Sequence, residues 1–340
     1  MRVLVTGGTG FVGSHSAVEL ARAGCEVRLL VRDPAKAARV FAPHGAAFAD
    51  VVQGDVTDRA SVRRALDGCD AVLHAAALVA LEAHRAAEAL RTNAQGVEIV
   101  LGEAAERGVS SMVYVSSCAV LFTPGGAPIG PDSPLSAARS PYARSKADGE
   151  RFARALLERG APLRITYPGG VVGPDDPGLS EMNHTLVIFL RDLMAMTSSG
   201  LSLVDVRDLA GVHAALALGR APAGRYVVGG PFLHWQEVAD LLDRLTGQRV
   251  RRYRIPGGLL RAAGRVGDVV KRFAPFDFPL THEGMRFATL WPGADSSRTL
   301  EALGVGFRDP AESIGDALRW LARAGHLPAA RIGPLAQKED

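Results

Sequence analysis

The segment TGGTGFVG (6–13) places Gly7, Gly10 and Gly13 between a short β-branched run, RVLVT (2–6), and a helical stretch near 12–23. Gly8 adds a second overlapping pattern, Gly8-x-Gly10-x-x-Gly13. Glycines spaced this way allow a tight turn and let the backbone approach a pyrophosphate. The helix that follows offers unpaired N–H groups and the positive end of its dipole. A mere strand-to-helix turn needs fewer glycines, so the loop points to dinucleotide binding.

The alternation continues through the first half. EVRLLV (26–31), FADVVQ (48–53), DAVLHA (70–75) and SMVYVS (111–116) read as strands, with helical stretches near 58–67, 82–107 and 140–159. VLV and VLHA are continuously apolar, as strands buried on both faces must be. The expected fold is α/β, a Rossmann-type doubly wound parallel sheet. After Ile165 come a Gly/Pro-rich loop (168–179), a helix over 184–196, a strand LSLVDV (201–206) and a helix over 207–218. The last two are expected to return to the first sheet. The division that follows is a dinucleotide-binding domain over 1–174 joined by 201–228, a substrate-binding region over 175–200 and 229–326, and a loose tail over 327–340. The C-terminal helix spans 310–325, between Pro310 and Gly325.

Composition narrows the function. Hydrophobic residues make up 47% and charged residues 22%, enough for a sizeable core. The net charge of +3, from 39 basic and 36 acidic residues, gives no reason to expect nucleic acid as a partner. Cys25, Cys69 and Cys118 show no paired framework and no C-x-x-C spacing, so a reducing compartment and no metal are expected. MRVLVTGG reaches glycine too soon for a signal peptide's apolar core, and no apolar run is long enough to span a bilayer. A soluble, cytoplasmic protein is expected.

SPYARSKADGE (140–150) sets Tyr142 and Lys146 four residues apart, just inside a helix that Ser140 can cap and Pro141 can open. Four residues is one turn on the same face. Alone, the pair reads equally as a half-buried aromatic beside a lysine reaching for water.

Read with the glycine loop, GDVTD (54–58), HAAA (74–77), YVSS (114–117) and YARSK (142–146) resemble the extended short-chain dehydrogenase/reductase family. The likeness continues through YPGGVVGP (167–174) and VDVRDLAGVHAA (204–215). It implies that Tyr142 is the catalytic acid/base, Lys146 its partner, Ser117 the catalytic serine and Asn93 the active-site asparagine. It also implies cofactor contacts at Gly7, Gly10, Phe11, Val12, Gly13, Arg32, Asp55, Val56, Ala75, Ala76 and Pro168, besides Tyr142 and Lys146. Bland alternatives stand beside these roles: a strand-end cap for Ser117, a polar helix position for Asn93, a cap of the following helix for Asp55. Cys118 reads as filler.

Within the family, Ser117-Cys118-Ala119 lacks the carboxylate that a sugar dehydratase carries there, and Tyr167-Pro168 lacks the arginine common in nucleotide-sugar epimerases. The chain is most similar to the dihydroflavonol-reductase and hydroxysteroid-dehydrogenase branch. That implies reversible reduction of a ketone or aldehyde on a small, apolar molecule, with nucleotide-sugar epimerisation as the alternative. A non-catalytic dinucleotide sensor of similar fold usually lacks the Tyr–Lys pair retained here. A homodimer is expected. LLVRDPAK (29–36) places Arg32 where the second strand runs out, with Asp33 turned outward to start the next turn and Lys36 nearby. NADP(H) is therefore expected in preference to NAD(H), although NAD(H) remains open.

One segment is unexplained by that chemistry. Arg251, Arg252, Arg254, Arg261, Arg265, Lys271 and Arg272 are opposed only by Asp268, and over 257–273 they interleave with Leu259, Leu260, Val266, Val269, Val270 and Phe273. The ordinary reading is a surface helix with a solvated basic face. The sharper one is weak attachment to an anionic membrane surface.

Overall fold

The computed structural model describes residues 1–77, 83–136, 141–270 and 281–337, with the backbone alone over 83–91 and 141–145. Its first half alternates strand and helix: β1 (Arg2–Thr6), α1 (Phe11–Arg22), β2 (Glu26–Val31), α2 (Pro34–Phe41), β3 (Val51–Gln53), α3 (Arg59–Leu66), β4 (Ala71–His74), α4 (Ala83–Glu106), β5 (Ser111–Val115), α5 (Pro141–Glu158) and β6 (Leu163–Pro168). The second half continues through β7 (Gly170–Val172), α6 (Glu181–Arg191), β8 (Met194–Met196), β9 (Gly200–Asp205), α7 (Val206–Ala217), β10 (Gly224–Val228), β11 (Phe232–His234) and α8 (Trp235–Thr246). It closes with β12 (Arg252–Arg254), α9 (Gly257–Val270), α10 (His282–Leu290), α11 (Ser297–Leu303) and α12 (Pro310–Arg323).

Seven strands pair in parallel in the order β10-β6-β5-β4-β1-β2-β3. Both faces are covered, as the apolar strands require. On β1, Val3 and Val5 join Val18 and Leu20 of α1, Phe41 of α2 and Leu209 and Val212 of α7. Leu4 points the other way, into a core with Val62 of α3, Val100 of α4 and Leu156 of α5. The order reverses between β1 and β4, so the carboxyl ends of β1, β4 and β5 flank the crevice where such sheets bind ligands. α2, absent from the helical stretches read above, forms because Asp33 caps it and Pro34 occupies its first position.

The second half departs from expectation in three places. The strand expected at 201–206 does not return to the central sheet: β9 pairs with β7 and β11 in a separate three-stranded sheet. Gly230 permits this, because a Cβ there would lie 1.8 Å from the Leu203 carbonyl oxygen. The helix that follows does return, as α7, and the strand that rejoins the central sheet is β10. The helix expected over 184–196 ends at Arg191, and Met194–Met196 pairs with β12 as β8, burying Met194 and Met196. The tail from Leu327 is not loose through 337. Leu327, Ile332 and Leu335 are buried in the core of the second region with α8 and α12, because three apolar side chains outweigh the Pro/Gly/Ala composition around them.

Removing residues 327–340 should therefore destabilise the second region. Losing three buried aliphatic side chains, each worth about 1.5–3 kcal/mol, predicts a loss of roughly 4 kcal/mol or more. Denaturant melts of the truncated and full chains check this; equal midpoints would contradict it.

Candidate active site

The loop after β1 is built for an anion. Gly7 has φ +74, and a Cβ on it would lie 2.5 Å from the Ala76 backbone nitrogen, so the loop packs directly on the end of β4. A Cβ on Gly13 would lie 2.2 Å from the Gly7 carbonyl oxygen. Gly10 N–H donates to that oxygen at 2.9 Å, closing the turn. Gly10 then caps α1 without a side chain, and no acidic residue stands in the first turn. The N-terminal N–H groups beside Phe11, Val12 and Gly13 thus lack a side-chain acceptor, which fits a dinucleotide's phosphates.

The neighbouring strand ends supply further groups. Arg32 is exposed at the end of β2, and its carbonyl accepts from Gln53 Nε2 at 3.3 Å. Asp33 is spent on α2, accepting from Ala35 N–H at 2.9 Å. Asp55 accepts from both the N–H and the hydroxyl of Thr57, each at 2.8 Å. The cap of α3 is Asp58 instead, so the capping alternative for Asp55 fails. Val56 packs under α4, 3.1 Å from where a Cβ on Gly96 would stand.

The other side of the crevice is formed by β4, β5 and α5. Ser117 follows β5, and its Oγ accepts from Ala119 N–H at 3.1 Å, capping a short 3₁₀ turn. Asn93 is buried on α4. Tyr142 lies in the first turn of α5, one turn before Lys146; its phenol and the Ser140 cap lie outside the described residues. Lys146 is 8% exposed. Burial pulls its ammonium down to about 8, with Glu150 opposing the fall. Pro168 ends β6, buried.

Three residues central to this arrangement were given no catalytic or cofactor-binding role from the sequence. Glu150, four residues after Lys146, has a fully buried side chain. Its carboxylate accepts from Ser116 Oγ at 2.7 Å, from Arg154 Nε at 2.9 Å and from the Tyr167 hydroxyl. The spacing Tyr142, Lys146, Glu150, Arg154 was visible as a four-residue ladder; its partners on β5 and β6 were not. Tyr167 is buried beneath α5, and burial beside Glu150 keeps its phenol protonated. Its identity therefore reports packing against Glu150 and says nothing about the ligand. His74 ends β4, with Nδ1 2.7 Å from Thr6 Oγ1. Burial first, and the Lys146 charge second, lower its pKa to about 3, so the ring is neutral. Its Nε2 is buried with no partner among the described residues. Cys118 is inert: burial pushes its thiol up, and Sγ donates to the Tyr167 carbonyl at 3.1 Å.

Replacing Glu150 by alanine strips Arg154, Ser116 and Tyr167 of their shared acceptor. Breaking a buried ion pair from one side costs about 3–5 kcal/mol. Chemical denaturation of Glu150→Ala should show that loss, and wild-type stability would contradict the network.

Comparison with known proteins agrees with this geometry. Residues 3–229 match the NAD dependent epimerase/dehydratase family. The chain is 30% identical over 337 residues to "Sterol demethylase protein B" of Methylococcus capsulatus, covering 96% of this chain and 100% of that one. It is 27% identical over 332 residues to a "Putative dihydroflavonol 4-reductase" of Synechocystis sp., covering 95% of each. Among solved structures, that of gox2253 superposes with a TM-score of 0.80 at 27% identity, covering 96% of this chain and 99% of the other. A strand-ordered parallel sheet, a glycine loop at its switch point and a full-length match to named members lead to one conclusion. The chain belongs to the NAD dependent epimerase/dehydratase family, the extended short-chain dehydrogenase/reductases, and is an enzyme of that nicotinamide-dependent type.

Proposed function

We propose that the chain is a cytoplasmic, homodimeric, NADP(H)-dependent reductase of an apolar ketone or aldehyde, working reversibly. The observation that carries this reading is the buried Lys146, one helical turn from Tyr142. With a pKa of about 8 it is still mostly charged at neutral pH. A phenol of pKa ~10 is a poor acid/base near pH 7, and an adjacent ammonium in a partly dry site favours its anion. A bound nicotinamide dinucleotide would supply or accept the hydride. In reduction, the Tyr142 hydroxyl gives its proton to the substrate oxygen; in oxidation, the phenolate takes it back. Ser117 Oγ already accepts from Ala119 N–H, so its own proton is available for the substrate oxygen. Asn93, buried on α4, completes the polar set. The names of the relatives matched over nearly the whole chain, a sterol demethylase protein and a dihydroflavonol reductase, support a multi-ring, largely apolar substrate.

Tyr142→Phe should lower carbonyl reduction by about 10²–10⁴, the usual loss of general acid–base catalysis, while leaving dinucleotide binding intact. The pH dependence has a defined sign. Lys146 titrates at about 8 in the folded chain against 10.5 ordinarily, so in that window the folded enzyme has lost a proton that the unfolded chain keeps. Stability rises with pH across the window, whereas the charge acting on Tyr142 disappears. The reduction rate should therefore fall as pH rises through about 8. Full rate retained by Tyr142→Phe, or turnover of nucleoside-diphosphate sugars without carbonyl reduction, would overturn the reading.

The choice of NADP(H) rests on Asp33 being used as the α2 cap while Arg32 is exposed beside it. Arg32→Ala should weaken NADPH binding by about tenfold or more, the worth of a charged hydrogen bond, and change NADH binding little. Titration of both reduced cofactors decides it: equal or tighter NADH binding by the wild type would reverse the preference.

A further inference from the structure

From Arg249 to Val270 the chain carries six arginines and one acidic residue, Asp268. The structure shows which way this segment faces. On α9 the exposed positions are Gly258, Leu259, Ala262, Arg265, Val266, Val269 and Val270, a single stripe at helical spacing. Leu259 and Val266 are each 63% exposed and Val269 is 54%. Tyr253, on the strand just before, is 62% exposed. Of the eight exposed large apolar side chains among the described residues, five lie between 253 and 270. A surface helix normally turns such residues inward.

The helix cannot roll to hide them. Its inner side is made of Gly264 and Gly267, both buried, and a Cβ on Gly264 would lie 2.7 Å from the Thr281 carbonyl oxygen. Arg261 is tied inward to Thr289 Oγ1 at 2.9 Å. Small residues thus seat α9 against the start of α10, and the aliphatic residues have no space beneath. The exposed stripe of α9 is four large apolar side chains, Leu259, Val266, Val269 and Val270, with Arg265 among them, rather than a face of basic residues.

The charges around it are unbalanced. Asp268 is engaged, accepting from His282 N–H at 3.1 Å. Arg252 is matched by Asp240 and Asp243. Arg249 and Arg254 share a groove with those two carboxylates, and Arg251 and Arg265 are exposed, so the segment stays net positive. A second copy meeting this face symmetrically would set like charges against one another. Leu and Val at the centre give nucleic-acid bases nothing to stack on. No helix among the described residues is long and apolar enough to cross a membrane. We infer that α9, with Tyr253 and the arginines beside it, docks the enzyme on an anionic lipid surface. The helix lies in the interface plane over its length of about 21 Å, with aliphatic side chains among the acyl chains and arginines at the headgroups. This inference is independent of the proposed chemistry.

Flotation of the full-length protein with phosphatidylcholine vesicles, with and without about one third phosphatidylglycerol, tests it. The wild type should float at least about tenfold better with the anionic vesicles and be released at about 0.5 M salt. Val266→Asp with Val269→Asp should abolish flotation, and so should Arg251→Gln with Arg254→Gln and Arg265→Gln. All five side chains are exposed, so both variants should keep the wild-type melting temperature and dinucleotide binding. Absence of flotation, equal flotation with neutral vesicles, or unchanged flotation of the valine variant would overturn the inference. So would a fall from dimer to monomer mass on changing the valines, which would make the face a contact between copies.

Discussion

Two opposite charges buried on one helix organise the side of the crevice formed by β5, β6 and α5. Lys146 is almost removed from water and Glu150 entirely so. A buried carboxylate is tolerable only when its oxygens are satisfied. Ser116 at the end of β5, Tyr167 on β6 and Arg154 on the same helix do this together. The network ties α5 to two central strands, so the frame that carries Tyr142 and Lys146 is fixed relative to Ser117, the residue after Ser116. The Glu150 charge also opposes the fall that burial imposes on the Lys146 ammonium. One carboxylate thereby serves both the position and the charge of the lysine.

Across the crevice the requirement is reversed. The glycine loop and the uncapped start of α1 leave donors without a side-chain acceptor, while on the Lys146 side His74 is kept neutral by burial and by that charge. A crevice with open N–H groups on one side and a mostly protonated ammonium on the other favours a ligand that brings negative charge. Gly7 and Gly13 are required because an added Cβ would lie 2.5 and 2.2 Å from neighbouring backbone atoms, and Gly7 also by its φ of +74.

The central sheet was legible because its signals are local: β-branched runs, glycine turns and helix caps each act within a few residues. The glycine loop between β1 and α1, Ser117 just after β5 and Lys146 on α5 stood where their motifs put them in the chain of strands and helices. Glu150 was not, although it closes the very stretch that contains Tyr142 and Lys146, because its partners come from positions 116, 154 and 167. The second region was read least well. β8 and β12 are three residues each and exist only by pairing with one another, so no periodicity in either announces them. The tail was misread for a similar reason, its anchors being three side chains that find their core in distant helices. On α9, composition showed basic and apolar residues interleaved, but which set meets water depended on Gly264, packed against Thr281.

The account stands or falls on hydride transfer to a carbonyl carbon with proton delivery from Tyr142. The direct measurement is mass spectrometry of products from a panel of apolar ketones and aldehydes incubated with enzyme and NADPH carrying deuterium at both C4 positions of the nicotinamide. The expected product is an alcohol carrying one deuterium at the former carbonyl carbon, formed by the wild type and about 10²–10⁴-fold more slowly by Tyr142→Phe. Alcohol without deuterium, or labelled alcohol formed equally by the phenylalanine variant, would contradict it.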